Sequence, residues 1–249
     1  DLVRSRGLGD VYKRQMLGFR IGRRAGYRRQ QLPPWQLREE SGSSVPGAAG
    51  NGMKVALLHY WLINLRGGEK VLAELASLYP EADIFTHACD PSKIAAAFEG
   101  HRIHETFIGK LPLAKKHCQK YLPLMPLALK QLNLEGYDLI ISSESGPVKG
   151  IRKPAGARHV CYCHTPMRYL WDMYDDYYKQ AGVMGRAAMA LFKNYLRSYD
   201  LKSADSVDDF IANSNFVRER IRRIYNRDAS VIHPPVDTSF FRAGQYEKK

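Results

Sequence analysis

Cysteine is scarce in this sequence, with four in 249 residues: Cys89, Cys118, Cys161 and Cys163. No two of them form a C-x-x-C pair, so no zinc site is indicated. They read as reduced, mostly buried thiols of a cytosolic protein. No apolar run reaches the roughly 18 residues that would suggest a membrane span, and no secretory signal pattern occurs. G-x-G-x-x-G is absent too, which argues against a classical dinucleotide site. Acidic residues are in deficit, 25 against 38 Lys/Arg, for a formal net charge of +13. A basic surface suits nucleic acid, anionic lipid or phosphorylated substrates and does not choose between them. The chain is 45% apolar, enough for a sizeable core in one or two domains.

The positive charge is unevenly placed. Residues 1–52 hold ten Lys/Arg and four Asp/Glu, their apolar residues show no period, and Ser41 to Gly52 is a Ser/Gly/Ala/Pro run. Such a composition cannot bury enough surface to fold. The opening also looks like a translated sequencing-adaptor scar, so Met53 is read as the natural start. The competing reading is a basic arm for membrane or nucleic acid. Either way 1–52 is set apart from the fold, which is assigned to 53–233, with 234–249 as the start of a linker to a missing domain.

The stretch Lys54 to Leu75 organises the rest. Val55-Ala56-Leu57-Leu58 reads as a buried parallel strand. After a loop, Gly67-Gly68 opens a helical pattern with Val71, Leu72 and Leu75 on one face. Glycines there let the backbone approach an anion, and a helix N-terminus offers free N–H groups to phosphate. The alternative is a tight turn with no ligand.

Strands and helices then alternate. Strands are expected at 82–86, 102–105, 137–143, 158–163, 206–212 and 229–232, with a helix over Asn215–Tyr225 capped by Ser214. The expected fold class is α/β, a doubly wound, Rossmann-like parallel sheet. Ligands of such sheets bind beyond the carboxyl ends of the strands. That makes 59–68, 142–150, 164–168 and 213–214 the candidate site loops. Two stretches stand apart. Leu111 to Leu134 mixes Leu/Met with Lys115, Lys116, Lys120 and Lys130, and its prolines cut it into short helices. It reads as a lid of core helices or as a piece that lies on a bilayer. Met184 to Ala204 reads as a long helix whose stripe of Met184, Ala187, Ala188, Leu191, Tyr195 and Tyr199 is expected to pack in the core. After the seventh strand, His233-Pro234-Pro235-Val236-Asp237 reads as a stiff connector at a domain boundary.

Six ordered segments carry a resemblance. They are Val55 to Glu69 running into R-G-G-E-K-V-L, L-P-L-M-P-L-A at 122–128, Y-D-L-I-I-S-S at 137–143, C-Y-C-H-T-P-M-R-Y-L-W-D at 161–172, F-I-A-N-S at 210–214 and V-I-H-P-P-V-D at 231–237. Over about 53–241 the chain resembles the N-terminal domain of glycosyltransferase family 4, retaining enzymes of the GT-B fold, nearest the bacterial mannosyltransferase-like branch of surface-polysaccharide synthesis. Tyr60 departs from the Asp that the family often has after the histidine. The C-terminal domain, which holds most of the family's nucleotide site, has no counterpart here.

The resemblance implies roles. Gly67 and Gly68 would place amides near a donor diphosphate. His164 would be the catalytic residue, reaching the donor sugar. Thr165, as a helix N-cap ahead of Pro166, would fix His164 at the strand end. Arg168, one turn into that helix, would pair with phosphate or an anionic acceptor. Asn213 and Ser214 join the donor side, and Glu144, Ser145 and Lys149 the acceptor side. Asp175 and Asp176 are paired carboxylates or simply helix-end charges. No D-x-D-like motif stands in a suitable loop, so neither metal nor cofactor is expected. The implied reaction is retaining transfer of a hexose, mannose being one candidate, from a nucleoside diphosphate sugar to a lipid-linked or polysaccharide acceptor. The protein would be cytoplasmic, with peripheral contact at the inner face of the plasma membrane, and the fragment alone would be inactive. The competing class is a non-catalytic nucleotide-sugar or polyanion-binding module. Nucleic-acid binding is disfavoured, because outside 1–52 the basic residues are scattered.

Overall fold

In a computed structural model of the chain, residues 52–236 are described. The expectations for 1–51 and for 237–249 lie outside the described residues. Met53–Pro234 forms one compact unit.

Seven parallel strands make a single sheet. They are β1 (Val55–His59), β2 (Asp83–Thr86), β3 (Ile103–Glu105), β4 (Leu139–Glu144), β5 (Arg158–Cys163), β6 (Asp209–Ala212) and β7 (Ala229–Val231). Their order across the sheet is β3-β2-β1-β4-β5-β6-β7. The chain therefore winds outward from β1 to one edge, returns to place β4 on the other side of β1, and winds outward again. The seam between β1 and β4 is the topological switch point, where α/β sheets open a crevice at their carboxyl ends. All five residues of β1 are buried, as its continuous apolar run requires of a central parallel strand.

Helix α1 (Gly67–Leu78) follows β1 and buries Glu69, Val71, Leu72, Leu75 and Ala76. The proline-broken stretch forms short pieces: α2 (Pro91–Ile94) precedes it, then come α3 (Ala114–His117), a 3₁₀ segment (Cys118–Leu124) and α4 (Met125–Lys130). Their inner side, with Cys118, Met125 and Ala128, packs on Ile63, Ala88 and Ile108. After β5 come α5 (Tyr174–Gln180) and α6 (Val183–Asp205), and α7 (Asn215–Tyr225) lies between β6 and β7. Ser214 caps α7, its Oγ accepting from the Val217 N–H at 3.3 Å. Cys161 and Cys163 share one buried face, and all four thiols are free and buried.

Three expectations are corrected. The apolar stripe of α6 does not enter the core: Met184 is 88% exposed, Leu191 74% and Tyr195 48%, Ala187 and Ala188 are exposed, and only Tyr199 is half-buried. The helix packs through another stripe, Phe192 and Leu196 against Met167 and Leu170. Both stripes are apolar, and periodicity alone does not say which one meets the core. Second, β6 begins at Asp209, because Ser206 caps the end of α6 with its N–H on the Ser203 and Ala204 carbonyls. Third, no helix starts at Pro166. Turns run through 168–173, and α5 begins at Tyr174.

Candidate functional site

The carboxyl ends of β1, β4 and β5 lie in one row, with His59 paired to Ser143 and Ser143 to Tyr162. His164 follows β5 directly and is held on three sides. Its N–H donates to the Glu144 carbonyl at 2.8 Å, its carbonyl accepts from Asn213 Nδ2 at 3.0 Å, and its ring Nε2 lies 2.9 Å from Ser143 Oγ. Burial lowers the His164 pKa to about 3, helped by neighbouring His59 and opposed by Glu69. The ring is therefore neutral around neutral pH.

The glycine turn meets this histidine. A Cβ built on Gly68 would stand 3.4 Å from each of His164 Nε2, His59 Cε1 and Tyr60 Oη. Gly67 is exposed, and a Cβ there would meet nothing within 4 Å. Gly67 and Gly68 are the first two residues of α1, a helix of 12 residues whose first N–H groups lack helical partners. Arg66 is the N-cap, and its N–H donates to Glu69 Oε2 at 3.1 Å. Burial raises the pKa of the Tyr60 phenol, against a hydrogen bond from Ser145 and the nearby charges of Arg66 and Arg168. Arg168 is exposed on the turn after β5 and not within a helix. The sheet thus brings Gly67, Gly68, His164, Ser145 and Arg168 to one rim.

Other expected site residues are employed inside the protein. Thr165 is not an N-cap: its Oγ donates to the Pro166 carbonyl at 3.1 Å and accepts from Arg220, while Arg220 Nε also donates to Asp172 at 2.6 Å. Ser214 Oγ serves its helix cap and donates to Asn213 Oδ1 at 3.0 Å. Thr165, Asn213 and Ser214 therefore hold the corner that carries His164. Lys149 and Glu144 are corrected as acceptor contacts. Their side chains are 0% and 2% exposed and lie 3.0 Å apart, and Lys149 also pairs with fully buried Asp200. Asp200 in turn accepts from Trp171 Nε1 at 2.7 Å and from Tyr225 Oη. Burial pushes Lys149 down, but Asp200 and Glu144 outweigh it and hold the ammonium well above its ordinary pKa. Burial also raises Glu144. Asp175 and Asp176 sit exposed in the first turn of α5, where acids suit the helix dipole.

Sequence reasoning did not single out His59, Glu69, Ser143 or Arg220. Arg220 carried a usable signal. It falls on the stripe of Val217, Ile221 and Ile224, where a solvated arginine would not stand, and it is 4% exposed. Among the described residues no group of three or more His, Cys, Asp or Glu is placed to hold a metal ion, and no helix is long and apolar enough to cross a membrane.

A parallel doubly wound sheet with a glycine turn and a histidine beside its switch point makes this a Rossmann-like α/β domain. The glycosyltransferase family 4 model matches residues 65–240, and the chain belongs to that family. The fold is also similar to that of Anabaena Alr3699/HepE, solved in complex with UDP, at 16% identity and a TM-score of 0.47, over 78% of this chain and 47% of that one. The chain thus spans about half the length of that structure. No curated protein matches the chain.

Proposed function

We propose that this domain is the acceptor-side half of a retaining glycosyltransferase whose GT-B fold has two Rossmann-like domains. The enzyme moves a hexosyl group from a nucleoside diphosphate sugar to a lipid-linked or polysaccharide acceptor. The supporting observation is the meeting of Gly68 with His164 at the switch point. Amides at the start of α1 would take the diphosphate. The neutral imidazole, anchored by Ser143 and its own main chain, would hydrogen-bond the sugar attached to it. Arg168 adds positive charge at the same rim. Donor amides preorganised toward developing charge are worth several kcal/mol of barrier in such sites. Family membership and the placement of the rim support this reading over a binding module.

Its test uses a protein carrying both domains. His164→Ala should lower sugar transfer about 10²-fold with an unchanged melting temperature. Wild-type turnover in that variant would remove the role given to His164.

The acceptor reading extends to a membrane surface. Leu113, Leu124 and Leu127 are 63%, 42% and 51% exposed. Around them Lys110, Lys115, Lys116, Lys120 and Lys130 are exposed, and no acid occurs between Glu105 and Glu135. Such a face complements an anionic bilayer, where each lysine is worth about 1 kcal/mol. The chain should sediment with phosphatidylglycerol vesicles but not with phosphatidylcholine ones. A Lys115→Glu/Lys116→Glu/Lys120→Glu variant should stay in solution.

A further inference from the structure

Glu69 poses a conflict at the glycine turn. It is the third residue of α1, where an acid supports a helix start. The same carboxylate, 3% exposed, stands beside the amides that a diphosphate would need. Two negative groups sharing a poorly solvated site repel strongly. Something must offset Glu69 before an anion can settle there.

His59 is placed to do so. It ends β1 directly beneath the turn and is fully buried, with neither ring nitrogen hydrogen-bonded. Buried polar groups without partners are uncommon and call for an explanation. Its Nε2 lies 3.9 Å from Glu69 Oε1, beyond hydrogen-bond length but close enough for electrostatic attraction. Its Cε1 would stand 3.4 Å from a Cβ on Gly68, and its ring meets His164 edge-on at 6.4 Å. Burial tends to raise the Glu69 pKa, yet His59 and the N–H groups of Arg66 and Glu69 itself hold it below the usual carboxylate range. The charge to be offset is therefore present.

We propose that His59 is a positioning residue of the donor site: facing Glu69 from beneath the turn, it offsets that carboxylate and lets an anionic diphosphate settle on the Gly67–Gly68 amides. This rests on the donor reading of the turn given above. It differs from a packing role in one respect. If His59 acts by offsetting charge, removing the charge makes His59 dispensable.

The experiment titrates inorganic pyrophosphate into the full chain in mildly acidic buffer, about pH 6, where carboxylates are ionised and an imidazole can carry charge, and follows the Gly67 and Gly68 amide resonances. His59→Leu should weaken binding about tenfold, the scale of one uncompensated charge at intermediate dielectric. Glu69→Gln keeps the side-chain oxygen that caps Arg66 and should bind at least as tightly as wild type. The double variant should match Glu69→Gln within about twofold, the additivity that independent sites show. Binding unchanged in His59→Leu, or a double variant as weak as His59→Leu, would overturn the inference while leaving the donor reading intact. Wild-type amides that ignore pyrophosphate would overturn both. Should His59→Leu not fold, Glu69→Gln decides: equal or tighter binding supports the inference, and a tenfold loss overturns it.

Discussion

Replacing Lys149 with Met separates the two roles open to this residue. As an acceptor contact, Lys149 would be dispensable for folding. In the structure it is the cation of a sealed network, 0% exposed, with Glu144 at 3.0 Å and Asp200 as its second partner. Its ammonium also lies 4.8 Å above the Tyr225 ring. Methionine nearly preserves the volume, so the cost is electrostatic. Two buried carboxyl groups remain with no cation, and removing one partner of a buried pair costs about 3–5 kcal/mol. Spread over a domain of this size, that is on the order of 10 °C in melting temperature, at about 2–4 °C per kcal/mol. Adding Asp200→Asn removes one of the two stranded carboxyl groups and should recover part of the loss, although Trp171 and Tyr225 still need their acceptor. Urea unfolding at neutral pH, followed by far-UV circular dichroism, gives both values. A loss below about 1 kcal/mol for Lys149→Met, the range of exposed ion pairs, would show that the ammonium reaches water and would reopen its acceptor role.

Other measurements probe the frame around the rim. Burial holds His87 and His159 at about pKa 4 and His164 at about 3, so all three are neutral in the fold but take up protons near 6.5 once unfolded. Their stabilisation is complete above 6.5 and is lost as pH falls toward 4, with a combined slope of about 4 kcal/mol per pH unit; acid titration of the unfolding free energy should show it, and His159→Asn should remove about a third of it. Gly150→Ala would set a Cβ 1.9 Å from Tyr199 Oη, which donates to the Pro147 and Gly150 carbonyls. Tyr199 must then move, and thermal unfolding should show a loss of about 1–3 kcal/mol. Ser214→Ala removes the α7 cap and should cost about 1 kcal/mol in urea unfolding.

The elements legible in the sequence are those with local causes. Strand β5 and helix α7 coincide with the sequence reading to the residue. In β5 the alternation of Val160 with Cys161 and Cys163 sets two faces, and in α7 Ser214 marks the start by a hydrogen bond only three residues long. The start of α1 at Gly67 was legible for the same reason. The α6 stripe failed because burial is a relation between elements. Nothing inside 184–199 records that Phe192 and Leu196, and not Leu191 and Tyr195, meet Met167 and Leu170.

The site divides along the same line. That Gly68 and His164 share a rim follows from strand order, and strand order follows from βα alternation, so a sequence argument could reach it. Whether a charged side chain faces the ligand or supports it depends on partners far along the chain. Lys149 is decided by Asp200, Thr165 by Arg220, and His59 by Glu69 across a loop. In each case the sequence offered a polar residue at the correct edge of the sheet, and a hydrogen bond or ion pair withdrew it from the surface. On the proposed donor reading the direct ligand contacts are few, the Gly67–Gly68 amides, His164 and Arg168, while the layer beneath them is dense and charged. Substitutions in that lower layer should therefore reach the site indirectly, through stability, local charge and the geometry of His164, whereas substitutions in the upper layer should act on binding and turnover alone.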